Sequence, residues 1–540
     1  PWVLLSMVTK VISIGEDYWE TFEIEEADIE LLYNHLLELE TPLSPEELAV
    51  VLIQDRLDRE QKKSEQQELS GGKSYLPKDE YQIGENVRFG MLEGIAGEVV
   101  NIRDANSLTS EEFNVIEVEF EGGKKKEFAA SFESHPLNTP IEISDDDSLL
   151  SPSAILHTYQ QLLASKMIEA LQNNDEFVYI AGKWFPQALI VDVSVGNLNL
   201  AEAILDMAGG GPLPTKDILS QAELPSGVNE SLAEFSLDLA LQEDTRFDEV
   251  GSTGEVLWFL KRLSPDDVLK TTIYLKYIEQ DYDRGILTDE MLTLETKLED
   301  ELSDQNGAPE TEISSARISL IYPHWRAGTL PLSPRLAELF PSAHESPRIR
   351  FHFVDSSSGE KFPGWVVRLE KYVFGLRDYY LSKGVLPGSY IILEPGDNPG
   401  EIKVSTESHR SNKEWVRTGL IGADGGVVYA TLKQSISTSF DDRMITYLPS
   451  ETDALDEAWG KRAESPNKFE DIVVSTLKDL AKLNPQSHVH AKEVYSAVNV
   501  IKRCPPGPIL ALLATQLEIS HVGDLHFRYS AEEIEDRSEF

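Results

Sequence analysis

The sequence predicts a multidomain α+β protein assembled from several small modules. Three observations support this fold class. The chain has 540 residues, enough for about three to five domains of ordinary size. Amphipathic helical segments alternate with short strands bounded by glycine, and one unit of helices followed by a hairpin occurs twice. With 41% hydrophobic and 9% aromatic residues, most of the chain can bury a core.

The charge balance restricts the class of partner. The chain has 94 acidic and 48 basic residues, a formal net charge of −46. A surface of this sign repels phosphate backbones at long range, so nucleic-acid binding requires a local basic face. The alternative is that the acidic surface itself is the binding surface, in which case the partner is a basic protein.

Cysteine usage and hydropathy indicate the compartment. The single cysteine, Cys504, excludes an intrachain disulfide and a multi-cysteine zinc site, which fits a reducing cytoplasm. No apolar run reaches the roughly 18–20 residues of a membrane span. We therefore expect a cytoplasmic protein that makes no contact with a membrane.

Residues 1–74 are expected to form an N-terminal helical domain. Two amphipathic helices are predicted within residues 25–61, and Ser44, Pro45 and Glu47 have the spacing of a capping box at the start of the second. The pattern is typical of a helix-turn-helix or of an ordinary helical hairpin. The polar residues 61–74 are interpreted as a linker.

Residues 80–136 are predicted to form a small β domain. Ile116 and Val118 alternate with Glu117 and Glu119 as in a half-buried strand, and the short strands with a glycine at each bend resemble an SH3-like barrel. The lysines at 124–126 are interpreted as a solvated hairpin tip. The aspartates at 145–147 are interpreted as part of an acidic spacer and not as a cation site.

The repeated unit spans residues 198–263 and 469–530. Each copy is predicted as helix, turn, helix, helix and two strands that meet at a glycine turn. This order is that of a winged helix. The second copy, with "HVHAKEVY" before its second helix and "VGDLHFRYS" in its wing, resembles the HARE-HTH family, which implies a recognition module of the kind seen in the delta subunit of bacterial RNA polymerase. The corresponding domains are 154–263 and 467–530, joined to the rest by a helical connector at 264–305.

Residues 313–404 differ in charge from the rest of the chain. They contain eleven basic and nine acidic residues, so this segment is close to neutral. The runs "GTLPLSPRLAELF", "GWVVRLEKYVFGLRDYY" and "GVLPGSYIILEPG" resemble the DNA-binding pseudobarrel of plant transcription factors and of some restriction enzymes. A pseudobarrel-like β domain is therefore expected at 313–450.

The two resemblances imply a set of candidate DNA-binding residues. Arginine reads guanine through two parallel hydrogen bonds, and neighbouring cations hold phosphate. The alternative is that these side chains pair with acidic neighbours on an ordinary protein surface. The candidates are Trp325, Arg326, Arg348, Arg350, Arg368, Lys371, Lys492, Lys502 and Arg503.

No catalytic motif accompanies these modules. The sequence contains no phosphate-binding loop, dinucleotide fingerprint or nucleophile elbow, so we expect a protein that is not an enzyme and that needs no cofactor or metal. Asp397, Glu401 and Lys403 weakly resemble a nuclease triad, but a glycine-rich hairpin explains them better. Three hypotheses remain: a DNA-binding or transcription-associated protein, an acidic scaffold for RNA polymerase or other proteins, and a restriction-type nuclease or its recognition subunit.

Overall fold

The chain folds into two compact units of mixed α and β structure. A computed structural model describes residues 18–70, 73–89, 95–104, 113–120, 123–133, 135, 138, 152–222, 229–303, 313–449, 453–464 and 469–530. The first unit comprises residues 1–191 with 229–232, and the second comprises 192–228 with 233–540. The predicted class, a multidomain protein of mixed α and β structure, is confirmed.

Within its described residues, the first unit has three helices and two separate sheets. The helices are α1 (Glu26–Leu39), α2 (Pro45–Ser70) and α3 (Pro152–Gln172). The strands are β1 (Lys73–Ser74), β2 (Asn86–Phe89), β3 (Ile95–Asp104), β4 (Asn114–Phe120), β5 (Lys124–Ala130), β6 (Phe177–Ile180) and β7 (Lys183–Pro186). Strands β1 to β5 form one sheet in sequence order, and β6 pairs with β7.

The start of α2 confirms one local prediction, and its length corrects another. The Glu47 backbone N–H donates to Ser44 Oγ at 3.2 Å, and the Ser44 N–H donates to Glu47 Oε2 at 2.8 Å, which is the predicted capping box. The helix then continues to Ser70, through most of the expected linker 61–74. Glutamine, glutamate and lysine favour helix, so a polar composition alone does not end one.

The second unit begins with helices and strands around residues 195–298. The helices are α4 (Val195–Met207), α5 (Thr215–Leu219), α6 (Glu230–Glu243), α7 (Asp266–Leu269) and α8 (Asp289–Leu298). The strands are β8 (Leu213–Pro214), β9 (Phe247–Glu249) and β10 (Leu257–Leu260). In the described residues of the expected helical connector 264–305, helix is confined to α7, α8 and one 3-10 turn at Arg284–Ile286.

A curled half-barrel of seven strands follows, in the order β11-β16-β17-β13-β14-β15-β12. Its strands are β11 (Ala316–Ser319), β12 (Thr329–Pro331), β13 (Arg348–Asp355), β14 (Lys361–Val367), β15 (Tyr372–Phe374), β16 (Tyr390–Pro395) and β17 (Glu401–Ser405). Its short helices are α9 (Tyr322–Ala327), α10 (Pro334–Ala337) and α11 (Arg377–Lys383). A turn at residues 368–371, with Lys371 at a left-handed φ of 55°, separates β14 from β15.

Residues 408–438 form a separate two-stranded ribbon of β18 (Ser408–Ile421) and β19 (Val427–Thr438). At its tip Gly425 has a φ of +74°, and a side chain there would meet Ala458 of the following helix. The remaining helices are α12 (Asp453–Glu464), α13 (Phe469–Ala481), α14 (Ala491–Ile501) and α15 (Pro506–Thr515). The remaining strands are β20 (Val489–His490), β21 (Ile519–Gly523) and β22 (His526–Tyr529).

The two predicted repeats share one topology. Each runs helix, short strand, helix, helix and two strands, first from α4 to β10 and then from α13 to β22. In both, the short strand pairs antiparallel with the last strand, which gives the sheet orders β8-β10-β9 and β20-β22-β21. The predicted order of elements is therefore confirmed in both segments.

The first unit contains the same topology a third time. Leu43, between α1 and α2, forms an antiparallel bridge with Trp184 of β7, so it occupies the place of the short strand. Helix α3 and the β6–β7 hairpin complete this third repeat, and the sheet β1–β5 is inserted between α2 and α3. The helix and strands expected in a domain 154–263 instead pack with α1 and α2, where the rings of Tyr33 and Phe177 lie 5.8 Å apart.

A buried ionic network joins distant parts of the second unit. Arg503 is fully buried, and its Nη2 lies 2.6 Å from Asp300 Oδ1 and 2.8 Å from Glu301 Oε1. The other oxygen of Glu301 lies 2.9 Å from His324 Nε2, and the Tyr495 hydroxyl donates to Asp300 at 2.5 Å. Burial alone would raise the pKa of Glu301, but Arg503 and His324 hold it well below its usual range.

In the described part of the chain, no helix is both long enough and apolar enough to cross a membrane.

We expect Arg503→Met to destabilise the second unit strongly. The substitution leaves Asp300 and Glu301 buried without their cation, a change that costs about 3–5 kcal/mol. Amide hydrogen exchange in α8 and α14 should accelerate accordingly. Arg528→Met, at an exposed position, is the control, and equal protection in both variants would contradict this role for the network.

His490 begins α14 and provides a pH test of the last repeat. Its Nδ1 accepts the Lys492 backbone N–H at 3.0 Å, which requires a neutral ring. Burial and the positive charge of Arg443 lower the pKa of His490 to about 4. Since the unfolded chain takes up this proton near pH 6.5, stability should fall between about pH 6.5 and pH 4.

His490→Asn keeps a capping acceptor but removes the titration. The difference in melting temperature between pH 7 and pH 5, measured by calorimetry, should shrink in this variant and stay unchanged in the exposed control His344→Asn. A pH dependence equal to that of the wild type would refute the assignment.

Candidate nucleic-acid interface

Two candidate arginines lie side by side on β13 and face the repeat formed by α4 to β10. Arg348 Nε donates to Asp248 Oδ2 at 2.8 Å, and Nη2 donates to Oδ1 at 3.2 Å. Arg350 Nη1 donates to the Gly211 carbonyl at 2.8 Å, and its guanidinium lies 4.9 Å from the centroid of the Phe259 ring. Burial lowers the pKa of Arg350, although an arginine stays charged at neutral pH. Both side chains therefore hold two modules of the second unit together.

The same contact region contains a carboxyl group with a shifted pKa. Glu249, one residue after Asp248, accepts the Gly251 backbone N–H at 2.8 Å. Burial raises the pKa of Glu249 to about 7.

Helix α9 carries two more candidates, and both are engaged. Arg326 donates from Nε and Nη2 to the two carboxylate oxygens of Asp456, at 3.1 and 2.5 Å. Trp325 Nε1 donates to the Val385 carbonyl at 2.7 Å. An arginine reads guanine through two N–H donors at once. In both Arg326 and Arg348 the Nε and Nη2 donors are already bound to an aspartate, so neither side chain offers this pair to a ligand.

The turn between β14 and β15 contains the remaining half-barrel candidates. Arg368 Nη1 donates to the Ser346 carbonyl at 2.8 Å. Lys371 is exposed and has no ion pair within the described residues. Leu369 between them is 79% exposed. Of the nine candidates, this turn presents the most accessible cation.

The candidates in the last repeat are turned inward. Lys492 Nζ lies 2.5 Å from Asp441 Oδ2, Lys502 is 8% exposed, and Arg503 belongs to the buried network. The expectation that Lys502 and Arg503 face phosphate is therefore corrected: both follow α14 directly, where the chain turns into the core before α15.

The third helix of each repeat would be the recognition helix of a winged helix. Helix α15 has no charged residue, and seven of its ten residues are buried. Helix α6 has four acidic and no basic residues. Helix α3 has one lysine, Lys166, which donates to the carbonyls of Glu20 and Phe22. None of these helices presents a cation suited to phosphate.

The nuclease-like residues do not converge on a cation site. Lys403 Nζ lies 2.6 Å from Asp397 Oδ1, and Glu401 pairs with Lys361. Asp397, Glu401 and Lys403 lie in the β16–β17 hairpin, as the hairpin interpretation predicts, and Lys361 lies on β14. Among the described residues, no three histidine, cysteine or acidic side chains are grouped so that they could hold a metal ion. The aspartates at 145–147 lie outside the described residues.

The ribbon β18–β19 is a basic surface that the sequence analysis missed. Residues 408–415 are all exposed, and Trp415 pairs with Lys433 across the strands. Lys413 lies two residues from Trp415 and thus on the same face. The alternation in "NKEWVR" is the signal that could have identified it.

Comparison of the chain with protein-family models, with curated proteins and with solved structures gives no match.

Proposed function

We propose that the protein is a non-enzymatic scaffold that binds other proteins through its acidic surface. Its three repeats are winged-helix units, with the last one of HARE-HTH type, the sheet β1–β5 is an SH3-like barrel, and the half-barrel is a pseudobarrel. The helix and strand orders described above support these assignments. We further propose a cytoplasmic location, since the single cysteine is buried and reduced.

One observation favours protein partners over duplex DNA. The third helices of the repeats lack free cations, and two of them, α6 and α15, have no basic residue. A winged helix that reads DNA needs cations on this helix to hold the phosphates. Arg326, Arg348 and Arg350 of the half-barrel are likewise used between modules. A helix-and-hairpin unit with an acidic or apolar third helix is instead suited to packing against protein.

An acidic exposed surface lies on the first unit. Residues 18–47 contain ten acidic residues and no lysine or arginine. Helix α1 within this segment also exposes Leu37 and Leu39. An acidic face with exposed leucines complements a basic and partly apolar protein surface. RNA polymerase is a candidate partner for such a scaffold.

Duplex binding tests the first part of the proposal. A fluorescein-labelled random duplex should show no change in anisotropy when titrated with the protein, from low to physiological salt. Binding that weakens steeply with salt would instead support the DNA-binding alternative. In that case Arg368→Gln with Lys371→Gln tests whether the exposed turn of the half-barrel is responsible.

The acidic face can be tested by neutralising three exposed glutamates. We expect Glu26→Gln, Glu30→Gln and Glu38→Gln together to weaken binding of core RNA polymerase about tenfold or more, because several charge pairs at an interface are lost. Sedimentation velocity measures the complex. The matched control neutralises exposed acids of the second unit, namely Glu279, Asp281 and Glu360. An equal loss in both variants, or no complex at all, would contradict this partner.

A further inference from the structure

We infer that the outer face of the ribbon β18–β19 binds single-stranded nucleic acid. This surface, the basic ribbon, is formed by Arg410, Lys413, Trp415 and Lys433. It is separate from the acidic face and from the candidate residues of the half-barrel, and it adds a second binding activity to the scaffold.

The basic ribbon combines an exposed aromatic ring with cations. Trp415 is 67% exposed. Lys413 precedes it by two residues on the same face, and Lys433 lies directly opposite it on β19, where cross-strand Cβ atoms are about 5 Å apart. Arg410 lies in the bulge between Ser408 and Asn412. The indole therefore has a lysine beside it on its own strand and another on the neighbouring strand.

These cations are available to a ligand. Within the described residues none of Arg410, Lys413 and Lys433 forms an ion pair, and all three are exposed. Glu414, the one acid within 408–415, points to the opposite face because strand side chains alternate. In a chain with 94 acidic residues, three exposed cations without acidic partners indicate an anionic ligand.

The exposed indole favours an unpaired strand over a duplex, because the bases of a duplex are stacked on one another and leave no free face for it. On the opposite face Val416 and Ile436 are buried, together with Ile445. Beyond Trp415 its own face also enters the protein, where Tyr429 is buried, so the exposed part is limited to the end of the ribbon. There Trp415 can stack an unpaired base, while Lys413 and Lys433 contact the adjacent phosphates.

The test uses the full chain and a short fluorescein-labelled oligothymidine, with the same sequence as a duplex for comparison. We expect anisotropy to report binding of the single strand, with a slope of log K against log salt of about −2, as three phosphate contacts would give. Trp415→Ala should weaken binding about 5- to 100-fold through the lost stacking. Lys413→Gln with Lys433→Gln should reduce the slope to about −0.7.

Controls separate the basic ribbon from general charge and from folding. Lys276→Gln with Lys297→Gln removes the same charge elsewhere, and Leu381→Ala removes an apolar side chain that is 66% exposed; both should bind like the wild type. Because Trp415 is exposed, its alanine variant should keep the wild-type melting temperature. Glu414→Gln should tighten binding slightly.

Several results would overturn the inference. These are no binding of the single strand at low salt, unchanged binding in the Trp415 and lysine variants, or tighter binding of the duplex. The lysine variant could also form dimers while its binding stays unchanged. In that case the lysines serve to keep the edge strands from pairing with another chain. Failure of the polymerase experiment would leave this result intact, because the substitutions in that experiment lie in the first unit.

Discussion

The buried pairing of Arg503 with Asp300 and Glu301 determines how the second unit is organised. Arg503 is separated from these two carboxylates by about two hundred residues in sequence. His324 of the half-barrel adds a third segment to the network. A buried charge without its partner is very costly, so these three segments are stable only together. The last repeat, the segment after α8 and the half-barrel belong to one compact unit, and this network links all three.

The same principle explains the neutral stretch at 313–404. In a chain with about twice as many acidic as basic residues, two arginines of this segment lie where modules meet, and each neutralises a carboxylate there. Arg348 and Asp248 join the half-barrel to one repeat, and Arg326 and Asp456 join it to α12. A local excess of arginine in an acidic protein thus indicates an internal interface as readily as a nucleic-acid site.

The sequence was sufficient to predict the local elements but not which distant elements and side chains contact one another. Periodicity and capping predicted the helices, the hairpins and the order of two repeats, because these depend on neighbouring residues. The third repeat was missed because the sheet β1–β5 separates α2 from α3, which removes the linear pattern. The ion pairs of Arg326, Arg348 and Arg503 were also invisible, since each spans a hundred residues or more. Only the alternation around Trp415 could have revealed the basic ribbon.

The insertion of a complete sheet into the repeat of the first unit has a consequence for biosynthesis. Leu43 leaves the ribosome long before Trp184, its bridging partner. Part of the apolar surface of helices α1 and α2 therefore stays uncovered while the whole of β1–β5 is translated. Because that sheet has its own core around Val99 and Ile116, it can fold during the interval and shorten the distance that the nascent chain must close.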